Sequence, residues 1–170
     1  LKGLTGLLHL AVQGGGITDA GLEHLRGLTR LQTLFLSDAQ ITDAGLEHLK
    51  GLPDLQWLWL TGSSRITDAS LEHFKGLTKL RNLSLGMDDA QITDGGLEHL
   101  QGLTGLQTLW LTNSQITDAG LVHIKALPQL AALALARSRI TDAGLEQIGG
   151  LKGLRGLVLN GTQITDAGLE

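Results

Sequence analysis

The chain has 170 residues, of which 42% are apolar, 18% charged and 3% aromatic, and its formal net charge is −4 at pH 7. That composition excludes a disordered polar chain, and the acidic balance supplies no basic field, so nucleic acid is not an expected partner. Cysteine is absent, which removes disulfides and thiolate metal sites and leaves the compartment open; no apolar run approaches ~20 residues, so membrane insertion is not expected.

Ile-Thr-Asp recurs at residues 17–19, 41–43, 66–68, 92–94, 116–118, 140–142 and 164–166, with the isoleucines 24, 25, 26, 24, 24 and 24 apart. A fixed period of this size marks a stack of one small unit that buries its apolar face only against its neighbours. The first unit enters through Leu4, Leu7, Leu10 and Val12. The second shows the pattern most plainly. Leu31-x-x-Leu34-x-Leu36 alternates at period two and predicts a short strand. Thr42-Asp43 then supplies helix-opening residues, Leu46 and Leu49 form a one-sided stripe, and Gly51 ends the helix. Strand, loop, short helix and turn repeat in this order through the units of Ile66, Ile92, Ile116, Ile140 and Ile164. Residues 1–170 are thus read as a single domain of about seven repeats of 24–26 residues. No unit offers the polar outer face of a terminal cap. The chain starts inside a repeat and stops at Leu169-Glu170, partway into a helix, so the expectation is a fragment of a longer array or end-to-end self-association.

The pattern L-x-x-L-x-L-x-x-x-x-I resembles the leucine-rich repeat family over essentially the whole chain. The Ile-Thr-Asp-x-Gly-Leu helix opening looks most like the cysteine-containing subclass of F-box-type leucine-rich proteins and related bacterial arrays. The resemblance implies an α/β solenoid, a right-handed horseshoe with a concave parallel sheet and convex short helices. Two features depart from the family pattern. The usual Asn or Cys of the loop is replaced by Gly15, Ala39, Ser114, Ser138 and Thr162, and both the subclass cysteines and an F-box segment are missing. A ubiquitin-ligase role gains no support.

Residues between the core leucines of a strand point away from the core, onto the concave face. The central such position carries Ala11, Phe35, Trp59, Ser84, Trp110, Ala134 and Val158 in turn, and Trp57 lies two residues before Trp59. All three tryptophans of the chain therefore fall on one face. Phe35 to Trp110 spans about 14 Å across three strand spacings, which suits a peptide, a helix or a few sugar rings. The competing reading is that the aromatics simply pack on one another. The candidate partner-binding residues are Phe35, Trp57, Trp59 and Trp110, with Gln56, Arg81, Asn82 and Gln107 as polar neighbours. Gln32, Thr33, Thr61, Thr108, Thr112 and Asn113 surround them. Arg137 and Arg155 mark the C-terminal side of the patch, Asp38 and Asp54 the N-terminal side. The extra residues Ser63-Ser64-Arg65 and Gly86-Met87-Asp88-Asp89-Ala90 lengthen two loops beside this region, as binding-face insertions or as surface drift.

On the helical side His24, His48, His73, His99 and His123 recur beside Glu23, Glu47, Glu72, Glu98 and Glu146. Adjacent helices stand about 8–10 Å apart, too far for these histidines to share one zinc, so they read as duplicated surface residues. If the row acts at all, it makes that face less acidic at mildly acid pH. Asp88, Asp89 and Asp94 lack the glycine-defined loop of a calcium site. The Asp of each Ile-Thr-Asp reads as a carboxylate favoured at the positive end of its own helix. No catalytic residue, cofactor site or metal site is expected, because no nucleophile–base pair, phosphate-cradling loop or HExxH is present.

These features predict a non-enzymatic module that binds a protein or peptide on its concave face. Carbohydrate recognition through the same aromatics is the alternative, followed by a structural or self-assembling spacer and by an engineered consensus array. The uneven 25- and 26-residue spacings and clustered tryptophans speak against the last.

Overall fold

The computed structural model describes residues 1, 3–62, 66–86 and 91–170. The inserted residues Ser63–Arg65 and Met87–Ala90 lie outside the described residues. Seven strands form one open, wholly parallel sheet in sequence order: β1 (His9–Gln13), β2 (Thr33–Ser37), β3 (Trp57–Thr61), β4 (Asn82–Gly86), β5 (Thr108–Thr112), β6 (Ala132–Ala134) and β7 (Gly156–Val158). Short helices alternate with them: α1 (Asp19–Glu23), α2 (Asp43–Leu46), α3 (Asp68–His73), α4 (Asp94–Leu97), α5 (Leu121–Ile124) and α6 (Asp142–Ile148), several continued or opened by a single 3₁₀ turn. This is the repeat solenoid that the 24–26-residue period implies.

The core is a slab between sheet and helices. In the second unit Leu31, Leu34, Leu36, Ile41, Leu46 and Leu49 are all buried, and the equivalent positions repeat along the array. Phe74, which takes the place of Leu49 one unit on, is fully buried. It is core, as its helical position implies.

Three sets of hydrogen bonds join each unit to the next. The first is the sheet itself, with strands paired in strict register such as Phe35↔Trp59↔Ser84↔Trp110. The second crosses the descending loop, where Gln40 N–H donates to the Ile17 carbonyl at 2.7 Å and Arg139 N–H to the Ile116 carbonyl at 2.8 Å. The third involves the repeated Asp. Asp19 accepts the Thr42 N–H at 2.8 Å and the Thr42 hydroxyl at 2.7 Å. The same pair of bonds links Asp43 to Thr67, Asp68 to Thr93, Asp94 to Thr117, Asp118 to Thr141 and Asp142 to Thr165. This corrects the reading of these carboxylates as partners of their own helix alone: they tie unit to unit. Four of the threonines, Thr42, Thr67, Thr93 and Thr117, also cap their own helices, Thr42 by accepting the Ala44 N–H at 3.3 Å and Thr93 by accepting the Gly95 N–H at 3.2 Å.

The Gly of Thr-Asp-x-Gly follows from this linkage. A Cβ on Gly96 would sit 2.2 Å from Oδ1 of Asp68, and one on Gly144 2.1 Å from Oδ1 of Asp118. At these positions the missing side chain leaves room for the carboxylate of the preceding unit. At the one described position where Ser70 replaces the glycine, its hydroxyl donates to Asp43 and the contact becomes a bond.

Where the strand turns into the loop, the chain passes through the left-handed region at Gly14, Asp38, Gly62, Asn113, Arg137 and Gly161. Beyond that turn the small polar residues that stand in for the family's Asn act on the strand. Ser114, Ser138 and Thr162 donate their hydroxyls to the carbonyls of Leu111, Leu135 and Leu159 at 3.3, 2.7 and 2.7 Å.

Candidate functional site

The sheet places the aromatics where strand alternation puts them. Trp57 is 45% exposed, Trp59 37% and Phe35 36%, while Trp110 is half-buried. Large apolar groups left in water on one face are unusual without something to cover them. They also pack on one another. Phe35 and Trp59 meet edge to face with ring centroids 5.9 Å apart, and Trp59 and Trp110 meet the same way at 5.2 Å. Both proposed arrangements thus coexist: an aromatic row held by its own contacts and still open to solvent.

The second of these contacts needs a small residue between its partners. Trp59 and Trp110 stand on strands separated by β4, so their backbones are about 9.6 Å apart. Their indoles close that gap by leaning together over Ser84, which pairs in register with both. Ser84 is 7% exposed as a result, a buried residue at a position whose periodicity implies exposure. A large side chain there would prop the two indoles apart.

Beside this pair lies a cleft of ≈ 170 Å³. It is lined by Trp57, the Trp59–Trp110 pair and Phe35, together with Asn82, Ser84 and Thr108. Trp57, Asn82 and Thr108 share one row of the sheet, while Phe35, Trp59, Ser84 and Trp110 share the next concave row. Of the residues singled out from the sequence, Phe35, Trp57, Trp59, Asn82 and Trp110 come together here. Gln56, Arg81 and Gln107 do not line the cleft. They sit in the row just before the strands, where the Gln56 carbonyl accepts the Arg81 and Asn82 N–H groups and the Arg81 carbonyl those of Gln107 and Thr108. Thr108, named from the sequence only as a surrounding residue, and Ser84, named only for its place in the central row, join the site. Their signal was their column: each shares a concave row with a tryptophan.

The convex histidines differ from a simple surface row. His48, His73 and His99 are half-buried, and their Nδ1 atoms are enclosed without a hydrogen-bond partner among the described residues. Among the described residues no group of three or more His, Asp or Glu is placed to hold a metal ion. Of the carboxylates weighed for calcium, Asp88 and Asp89 lie outside the described residues, and both oxygens of Asp94 are engaged by Thr117. No helix among the described residues is long and apolar enough to cross a membrane.

The family model for a leucine-rich repeat region matches residues 1–169. The chain belongs to the leucine-rich repeat family. Among solved structures this repeat array is similar to an internalin (inlF) from Listeria monocytogenes, with 28% sequence identity and a TM-score of 0.67, over 96% of this chain and 51% of that one. The array therefore spans about half the length of that internalin. It shares its fold with an internalin C2 (inlC2) of the same organism, at 24% identity and a TM-score of 0.53, over 92% of this chain and 82% of the other. Comparison with curated proteins gives no match. The family match covers the repeats and their stacking.

Proposed function

We propose that this array is a non-enzymatic binding module that holds a protein or peptide on its concave sheet. Phe35, Trp57, Trp59 and Trp110 are the anchors, and Gln56, Arg81, Asn82 and Gln107 the polar contacts around them. Leucine-rich repeat stacks are surfaces rather than pockets for chemistry, and their curvature offers an extended concave face to a partner. The observation that carries the reading is the half-open cleft between Trp57 and the Trp59–Trp110 pair. Tryptophan dominates binding hot spots because a rigid, large side chain gives up much area to the partner at small entropic cost. A polar surround that includes Asn, Gln and Thr matches the rim of a protein interface.

The test is capture on the immobilised chain, run beside a Trp57→Ala/Trp110→Ala variant of verified fold. A protein held by the parent and released by the variant supports the concave site. A protein held equally by both moves the site elsewhere on the array. Release of the bound protein by free oligosaccharide would turn the reading to carbohydrate.

A further inference from the structure

The edge of the sheet that borders the cleft has a charge opposite to that of the chain as a whole. Six equivalent turn segments lead into the strands, at residues 27–32, 51–56, 76–81, 102–107, 126–131 and 150–155. They carry Arg30, Lys79, Arg81, Lys152 and Arg155 against a single carboxylate, Asp54. That carboxylate is already taken, since Lys79 Nζ lies 2.6 Å from its Oδ1. The edge is therefore basic on a molecule of net charge −4. Arg81 is exposed and makes no side-chain hydrogen bond or ion pair among the described residues. It directly precedes Asn82, which lines the cleft.

The cleft itself carries no charged side chain. The Asn82 carboxamide has no hydrogen-bond partner among the described residues, so it offers its NH₂ donors and its carbonyl acceptor to a ligand. A peptide group needs that combination. An apolar hollow of ≈ 170 Å³ takes one aliphatic or aromatic side chain. A free guanidinium one residue away favours a carboxylate, which it can grip through two parallel N–H donors.

We infer that the partner presents an acidic peptide segment, one large apolar side chain of which seats in the cleft while a carboxylate one or two residues away pairs with Arg81. The inference rests on the peptide-binding reading above and adds the chemistry of the peptide. The remaining basic residues of the edge draw further acidic residues along the strand ends, and the attraction weakens over the ~8 Å screening length of physiological salt.

Selection of a random displayed heptapeptide library on the whole 170-residue chain tests this, with parallel selections on Arg81→Glu and on Trp57→Ala/Trp110→Ala. Circular dichroism verifies the fold of each variant, and Trp57→Ala alone serves if the double variant does not fold. The expected peptides place Asp or Glu within two positions of a large apolar residue. Arg81→Glu should weaken the best of them about tenfold, close to 1.4 kcal/mol, and a Glu→Lys change in the peptide should restore binding to that variant. Enriched peptides that depend on the tryptophans but lack acidic residues, or that bind Arg81→Glu as well as the parent, overturn the acidic-peptide inference and leave the concave peptide site standing. Failure of the parent to enrich any peptide over the tryptophan variant overturns both.

Discussion

Both oxygens of the Asp68 carboxylate are bonded to Thr93 of the following unit, Oδ1 accepting its N–H at 2.8 Å and Oδ2 its hydroxyl at 2.6 Å. The arrangement recurs at each described unit boundary, so the most repetitive phrase in the sequence is the joint of the array. Such an array is stabilised by nearest-neighbour interfaces rather than by one central core. The geometry explains why Thr, Asp and the later Gly travel together. Thr caps its own helix and donates to the Asp behind it, Asp reaches forward to the next Thr, and Gly clears the space for that reach.

Asp68→Asn removes the charge from two charge-assisted hydrogen bonds and turns one acceptor into a donor. The variant should lose about 1–2 kcal/mol of unfolding free energy, measured by urea denaturation. An unchanged midpoint would show that the joint contributes nothing measurable.

Gly96→Ala should be worse than its size suggests. The new Cβ would meet Oδ1 of Asp68 at 2.2 Å and Cδ1 of Leu71 at 3.0 Å, and an overpacked contact of this kind costs about 1–3 kcal/mol. Gly96→Ser should cost less than Gly96→Ala, since its hydroxyl can bond the Asp68 carboxylate as that of Ser70 bonds Asp43. The reverse order of the two midpoints would contradict this account.

Acid should loosen the joints in a defined window. Burial pushes the Asp43 carboxyl up, but the Ser70 hydroxyl, the hydroxyl and N–H of Thr67 and the nearby His73 outweigh it and hold it below its ordinary value. The Thr165 hydroxyl and N–H similarly hold Asp142 low. A carboxyl lowered by folding stabilises the fold above its unfolded value, roughly 4, and that stabilisation is lost as pH falls through the lower folded value. Denaturation midpoints of Asp43→Asn should therefore fall less steeply than those of the parent below about pH 4, and run parallel to them between about pH 5 and 7. Parallel curves down to the lowest pH would exclude a role for Asp43 in acid sensitivity.

Trp110→Ala should weaken the fold as well as binding. Strand alternation alone implies that an outward tryptophan can be removed with little change in stability. The packing argues for a loss instead, because Trp110 meets Trp59 edge to face and stands in register with the buried Ser84. The loss should be about 1 kcal/mol in unfolding, beside more than ~2 kcal/mol in partner affinity if Trp110 is a hot spot. Calorimetric unfolding and titration of a captured partner separate the two effects.

The sequence by itself determined the period, the strand and helix of each unit, the buried leucines and the face that carries Phe35, Trp57, Trp59 and Trp110. These follow from local rules: a side-chain period of two in the strand, a one-sided stripe in the helix, and a repeat that leaves each unit only its neighbours to pack against. The tertiary structure decided what depends on distance between units. Only the stacking brings Asp19 to Thr42, 23 residues on, and only the parallel register sets Ser84 between Trp59 and Trp110. The histidines changed for the same reason, since sequence spacing sees the helix that bears His73 but not the neighbours that enclose its Nδ1. Contacts within a unit are written in its own periodicity; contacts between units exist only once the array is stacked.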